Sequence, residues 1–155
     1  MERLSGAAVA TRATGGHPQG IVVAVWLLDT NTLIYFFRGQ GRVAERLLAL
    51  PPGDIVIPTL VLYELYTGIA KSTQPQKRRK QLQALSEVVQ ILPFDDNCAR
   101  AAADIRTRLE KKGQPIGPID TLIAGCALAC QHTLVTHNQQ EFKRVRGLKL
   151  ADWYA

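Results

Sequence analysis

Apolar and polar positions alternate along the chain in blocks that predict strands and helices in turn. The apolar run at 21–28, rich in Val, predicts a strand buried on both faces of a sheet. Further short apolar runs predict strands at 54–57, 90–94, 132–136 and 148–151. Apolar residues at helical spacing predict helices at 30–37, 42–50, 59–71, 76–89, 97–112, 118–131 and 139–145. This alternation is typical of an α/β fold with a parallel sheet and helices on both faces.

The length of 155 residues is sufficient for one domain with a full hydrophobic core. We expect residues 1–20, which have no continuous apolar run, to be a flexible N-terminal extension, and residues 21–155 to form the domain. No apolar run approaches the roughly 18 residues of a membrane span. Three cysteines are a poor basis for a disulfide framework and favour a reducing, cytoplasmic location.

The charge balance is basic and changes the range of partners to consider. Nineteen Lys and Arg residues against thirteen Asp and Glu give a net charge of +6. This charge is compatible with a polyanion such as nucleic acid, although solubility alone also explains it. Two basic stretches are candidate contacts for RNA or for an acidic partner, with a solvated helix face as the alternative: Lys77, Arg78, Arg79 and Lys80, and then Lys143 and Arg144.

Three isolated acids carry the strongest chemical signal. Asp29 directly follows the first predicted strand, where open α/β sheets place their ligands. Glu64 is the only carboxylate of the helix predicted at 59–71, and Asp120 opens the apolar helix at 118–131. Each acid also has a structural explanation: a helix cap for Asp29, a solvent-facing position for Glu64, and a favourable helix dipole for Asp120.

The joint occurrence of the three acids favours a metal site. Carboxylates that are crowded together repel one another and raise each other's pKa values, and a divalent cation removes that penalty. Oxygen ligands without a Cys or His partner select Mg²⁺ or Mn²⁺ over zinc. If the fold brings the acids together, we expect metal-dependent phosphodiester chemistry.

Polar residues near the predicted strand ends can support such a site. Thr30 and Asn31 follow Asp29 and can either cap a helix or contact a metal or water. Thr136 and Asn138 follow the strand at 132–136 in the same way and can position water or an outer ligand, or simply cap the next helix. Glu141 is within reach of the same region, with an ordinary surface position as the alternative.

The chain resembles the PIN-domain ribonucleases, and within them the toxins of VapBC-type toxin–antitoxin pairs. The matching motifs occur in family order between about 25 and 153. They are Leu-Leu-Asp29-Thr-Asn, Tyr-Glu64-Leu-x-x-Gly, Ile-Gly-Pro-Ile-Asp120-Thr-Leu-Ile-Ala, Leu-Val-Thr136-His-Asn138-x-x-Glu141-Phe and Gly-Leu-x-Leu-x-Asp152-Trp.

The resemblance implies a three-layer α/β/α sandwich and a Mg²⁺- or Mn²⁺-dependent endoribonuclease. The three core acids of the family correspond to Asp29, Glu64 and Asp120, which are the expected metal ligands and catalytic residues. Many family members carry a fourth acid where this chain has the neutral Asn138, so one metal rather than two is a real alternative. The resemblance further implies an RNA substrate, an inhibitory cognate antitoxin and a homodimer.

Two other functions stay open from the sequence. A haloacid dehalogenase-like phosphatase also places Asp after its first strand, but it uses an Asp-x-Asp motif, and position 31 here is Asn. A PIN-like module that binds RNA or protein without cutting would keep the fold. The intact acid trio argues against such a module, whereas Asn138 leaves it open.

Overall fold

A computed structural model describes residues 24–155, which fold around a single sheet. Its five strands are β1 (Trp26–Leu28), β2 (Ile55–Pro58), β3 (Gln90–Leu92), β4 (Thr133–Val135) and β5 (Leu150–Ala151). The strand order is β3-β2-β1-β4-β5, and all four pairings are parallel. The sequence prediction of a parallel sheet is therefore confirmed, and β1 lies at its centre.

Within residues 24–155, seven α-helices connect and cover the strands. They are α1 (Thr30–Arg38), α2 (Val43–Leu48), α3 (Thr59–Ala70), α4 (Pro75–Ser86), α5 (Asp96–Lys111), α6 (Pro118–Cys130) and α7 (Gln139–Phe142). The chain builds outward from β1 to β3, then crosses back to place β4 and β5 on the other side of β1. Right-handed crossovers then put α1–α4 on one face and α5–α7 on the other, which produces the expected α/β/α sandwich.

The core lies on both faces of the central strands and around α6. Leu27 and Leu28 point to opposite faces of β1, and both are fully buried, as the continuous apolar run predicts. In α6 the stretch from Ile123 to Ala127 is buried throughout, so this helix packs on the sheet and on α5 together. None of the helices in residues 24–155 is long and apolar enough to cross a membrane.

Several predicted boundaries shift by a few residues. The strand predicted from position 21 begins at Trp26, and residues 1–23, with the predicted extension and the start of the domain, lie outside the described residues. The strand predicted at 54–57 corresponds to β2 at Ile55–Pro58, so Pro58 is both the last residue of that strand and the N-cap of α3. The helix predicted from position 59 begins there, at Thr59. The helices predicted to reach Val89 and Val145 end at Ser86 and Phe142.

Candidate active site

Asp29 lies at the point where the strand order reverses. It directly follows β1, whose neighbour β4 ends at Val135 on the same edge of the sheet. The Asp29 amide donates to the Val135 carbonyl oxygen over 3.2 Å, which holds the two strand ends together. Open α/β sheets bind ligands outside the strand ends at such a reversal. The fold therefore places the first predicted acid at the position where a ligand site is expected.

Asp29 is also the N-cap of α1. Its Oδ1 accepts a hydrogen bond of 2.9 Å from the backbone N–H of Thr32, so Asp29 does cap the helix, as the structural alternative expected. The carboxyl is nonetheless 4 % exposed, and burial raises its pKa above the ordinary value, although hydrogen bonds from Thr136 and Thr32 partly offset this effect. A cap needs only one oxygen and no burial. Capping alone therefore does not explain why Asp29 is buried.

Thr136 joins the ends of β1 and β4 through its hydroxyl. Its side chain is fully buried and hydrogen-bonds to the Asp29 carboxyl. The same Oγ1 accepts from the backbone N–H of Asn138 over 3.0 Å. One hydroxyl therefore orients both the central acid and the loop that carries Asn138.

Glu64 and Asp120 reach the same site from two different helices. Glu64 lies in α3, half-buried, and its Oε1 accepts a hydrogen bond from the Thr30 hydroxyl at the start of α1. Asp120 lies in the first turn of α6, and its pKa is raised to about 6, first by burial and then by the charges of Asp29, Glu141 and Glu64. The charges of Asp29 and Glu64 act on Asp120, so the three predicted acids lie near one another at this edge of the sheet.

The electrostatics of the site fit a hard divalent cation. Every charged group that shifts the pKa of Asp29 or Asp120 is another carboxylate, and each of them raises that pKa. The available side-chain donors are carboxylate, hydroxyl and amide oxygens, the ligands that Mg²⁺ and Mn²⁺ prefer. Within residues 24–155, the acidic, His and Cys side chains form no group of three that could hold a metal ion as they stand.

The remaining predicted residues near the acids differ in their burial and in their contacts. Asn138 is half-buried, and its Nδ2 donates to Glu141 Oε2 over 3.3 Å, so these two side chains form a pair at the start of α7. Asn138 is the N-cap residue of α7 but makes no side-chain cap bond, which removes the simple structural explanation for it. Asn31 is exposed, on the first turn of α1.

A cluster of three rings around His137, which lies between Thr136 and Asn138 in the chain, was not expected from the sequence. His137 Nδ1 lies 2.9 Å from Asp152 Oδ2, and the His137 ring stacks on Tyr154 with centroids 4.4 Å apart. Tyr35 of α1 contacts both rings. The partners of His137 come from the C-terminal segment and from α1, so no local sequence pattern indicates that they meet. The Asp152-Trp153 motif was the one available signal.

The two basic stretches differ in how they relate to the acids. In α4, Arg78 donates to the Phe37 carbonyl oxygen over 3.0 Å and, with Glu64, lines a cavity of about 110 Å³. The other cations of this stretch, Lys77, Arg79 and Lys80, are exposed. Lys143 and Arg144 follow α7 directly, and both are exposed. One residue of the first stretch thus has a structural role near the site.

The chain is similar to known proteins over most of its length. The family model for the PIN domain matches residues 26–148. The tRNA(fMet)-specific endonuclease VapC of Shigella flexneri is 32% identical over 83% of this chain and 97% of its own length. Ribonuclease VapC2 of Rickettsia felis is 35% identical over 83% of this chain and 98% of its own length.

The solved structures show the same relationship. DNA-bound VapBC from Salmonella typhimurium superposes with a TM-score of 0.78 and 32% identity, over 84% of this chain and 99% of the matched chain. The matches span nearly the whole of each relative, and they confirm the resemblance drawn from the motifs. The chain therefore belongs to the PIN domain family and, within it, to the VapC ribonucleases.

Proposed function

We propose that this protein is a metal-dependent endoribonuclease that acts as the toxin of a toxin–antitoxin pair. The observation that carries the proposal is the buried Asp29 carboxyl, which shares one site with Glu64 and Asp120 at the sheet edge. Uncompensated carboxylates raise the free energy of the metal-free protein. Their retention is explained if a divalent cation completes the site.

In this proposal Asp29 and Asp120 are the principal ligands of Mg²⁺ or Mn²⁺, and Glu64 completes the ligand set or orients water. A bound divalent cation activates water for attack and neutralises charge on the scissile phosphate. The hydroxyl of Thr30 fixes one oxygen of Glu64, so the carboxylate keeps a single orientation toward the site. Thr136 does the same for Asp29.

Asn138 and Glu141 position the substrate or outer ligands. Because the Asn138 amide nitrogen donates to Glu141, the amide oxygen is left as the free acceptor. A neutral amide is a weaker ligand than the acid that many relatives carry there. We therefore propose that one cation is held firmly, and that Glu141, which raises the pKa of Asp120, contributes through water.

RNA is the proposed substrate, and an antitoxin is the proposed partner in the cytoplasm. The Shigella flexneri relative is named for a transfer RNA, and the Salmonella typhimurium relative was solved as a VapBC complex. We place antitoxin or homodimer contacts on exposed apolar side chains, of which Tyr63 and Tyr66 are 61% and 57% exposed and flank Glu64 on α3.

Cleavage of a total cellular RNA pool tests the proposal directly. Purified protein is incubated with Mg²⁺, with Mn²⁺ or with EDTA, beside an Asp29→Asn variant prepared identically to control for contaminating nuclease. Asn keeps the cap on α1, so the variant is expected to fold and to lose cleavage by at least 100-fold. Discrete cuts that need both metal and Asp29 support the proposal. RNA binding without cleavage by folded, metal-loaded protein would instead identify a binding module.

A further inference from the structure

A basic groove lies on the α5–α6 side of the sheet, outside the acidic site. It has a volume of about 620 Å³ and runs between the C-terminal half of α5, the end of α6 and the segment that follows α7. Five cationic side chains and one acid line it: Arg108, Lys111, Lys112, Arg144, Arg146 and Asp104. We call this surface the α5 groove.

The positive charge of the α5 groove is largely unpaired. Arg108 forms an ion pair of 2.9 Å with Asp104, which neutralises the only acid of the lining. Within residues 24–155, the side chains of Lys111, Lys112 and Arg146 form no ion pair and no hydrogen bond, and all three are exposed. Solvated lysines on a helix face do not require a concave surface. Here the free cations converge on one groove, as they do where a polyanion is bound.

Arg144 connects the α5 groove to the acidic site. Its Nη1 donates to the Pro115 carbonyl oxygen over 3.0 Å, so the segment after α7 is attached to the loop that leads into α6. That loop delivers Asp120 five residues later, and Glu141 lies three residues before Arg144. The wall of the groove and the edge of the site are thus built from the same two segments. The segment from Glu141 to Arg144 therefore connects the edge of the site to the lining of the groove.

We propose that the α5 groove is an RNA-backbone site that holds the substrate outside the cleavage site. The proposal rests on the proposed ribonuclease function and adds a second point of contact. The ligand is the sugar–phosphate backbone, read through charge rather than base identity. The groove makes the enzyme prefer RNA long enough to reach both sites over short oligonucleotides.

The test compares binding and cleavage for a groove variant, Lys111→Gln/Lys112→Gln/Arg146→Gln. Binding of a transfer RNA pool is measured in EDTA by fluorescence anisotropy across a salt series, which needs no catalysis. We expect at least 10-fold weaker binding, and a slope of log K against log salt that is smaller by about 2 to 3. Cleavage of a short single-stranded oligonucleotide that contains the cut site is expected to stay unchanged, while kcat/KM for the long RNA falls.

A control variant with the same change in net charge, Arg42→Gln/Arg46→Gln/Arg100→Gln, removes three exposed cations outside the groove, of which Arg42 and Arg100 are ion-paired. An equal loss of binding in this control would overturn the proposal, because net charge alone would then explain the effect. Unchanged RNA binding by the groove variant, at an unchanged melting temperature, would also overturn it. So would loss of antitoxin binding alone, which would make the groove a protein interface.

Failure of the proposed function is distinguishable from failure of the groove. If the wild-type protein cuts no RNA, the binding measurement in EDTA still decides whether the groove holds RNA. Arg146→Gln alone provides a graded check on the triple variant. We expect it to reduce the salt slope by about one third as much.

Discussion

Thr136 illustrates how one buried hydroxyl can position two parts of the candidate active site. It hydrogen-bonds to Asp29 and accepts from the Asn138 backbone, and it is fully buried. Its bond to Asp29 lowers the pKa of a carboxyl that burial raises. Thr136 therefore positions the site and also favours the charged form of the central acid.

Replacement of Thr136 tests this double role. In Thr136→Val both hydrogen bonds are lost at nearly constant shape, and we expect a destabilisation of about 1–3 kcal/mol. The pKa of Asp29 should rise, so the pH at which cleavage reaches half its plateau should move upward. A pH–rate profile measures this shift, and Thr136→Ser, which keeps the hydroxyl, is expected to retain the wild-type midpoint. An unchanged midpoint in the Val variant would contradict the role.

Asp120 offers a test of the acid cluster that needs no substrate. The pKa of Asp120 is raised from 3.8 to about 6 in the folded protein, so the folded state binds this proton more tightly than the unfolded state does. The stabilisation from the bound proton is complete below pH 3.8 and is lost as the pH rises through about 6. The metal-free protein is therefore destabilised by Asp120 above that range.

An Asp120→Asn variant removes the titrating group and should behave accordingly. We expect wild type and variant to unfold alike near pH 4, and the metal-free variant to be more stable above pH 6.5. The expected difference is about 1 kcal/mol, because solvent screens a half-buried carboxyl. Urea unfolding in EDTA across this pH range measures it. A difference that does not depend on pH would show that Asp120 is not held among other carboxylates.

At the level of elements, the contact between α5 and α6 sets the position of Asp120. A Cβ added at Gly125 of α6 would lie 2.7 Å from the Cβ of Ala102 and within 2.9 Å of its backbone. The two helices approach this closely only because Gly125 has no side chain. Since α6 carries Asp120 at its first turn, the depth at which α6 packs determines where that acid lies.

Substitution of glycine by alanine in two helices separates packing from helix propensity. Gly125→Ala should force the helices apart and destabilise the protein by about 1–3 kcal/mol, with reduced cleavage. Gly68→Ala in α3 is the matched control, because a Cβ there has nothing within 4 Å. The control should gain up to about 1 kcal/mol from better helix propensity. Thermal melting of both variants is sufficient, and equal effects would contradict the packing argument.

The helices and strands also show what could be predicted from the sequence and what could not. The order of strands and helices was readable because buried strands and amphipathic helices have distinct apolar periods. The predicted ends of the elements were less accurate. Pro58, for example, is the last residue of β2 and also the N-cap of α3. Local sequence gives no sign of that dual position.

The candidate site was predictable to the extent that family motifs carried it. Asp29, Glu64 and Asp120 lie on three separate elements, and no local pattern states that these elements meet. The pairing of His137 with Asp152 shows the limit, because the two side chains meet across 15 residues and against Tyr154. Such contacts depend on how β5 and the C-terminal segment pack against α1. They belong to the tertiary structure and leave no local pattern in the sequence.

At the scale of the whole molecule, opposite charges are kept apart. The net charge of the chain is +6, yet the edge of the central strands gathers carboxylates, while free cations line the α5 groove. A basic exterior attracts a polyanion, but the acids at the centre repel its phosphates. In the proposed mechanism a divalent cation would offset this repulsion between the acids and the phosphates. The charge distribution supports the proposal that a cation completes the centre.

Metal binding should consequently stabilise the folded protein through the three acids together. Anything that binds only the folded state raises its stability by mass action, by about 2.7 kcal/mol at a ligand concentration 100 times Kd. We expect Mn²⁺ or Mg²⁺ to raise the Tm of the wild-type protein in a concentration-dependent way. The Asp29→Asn and Asp120→Asn variants should lose most of this rise, because each removes one ligand charge. An Asp96→Asn variant, altered at an exposed acid of α5, should keep it in full. Equal stabilisation of all four proteins would mean that the cation binds elsewhere, and it would remove the physical reason for assembling three acids at the end of β1.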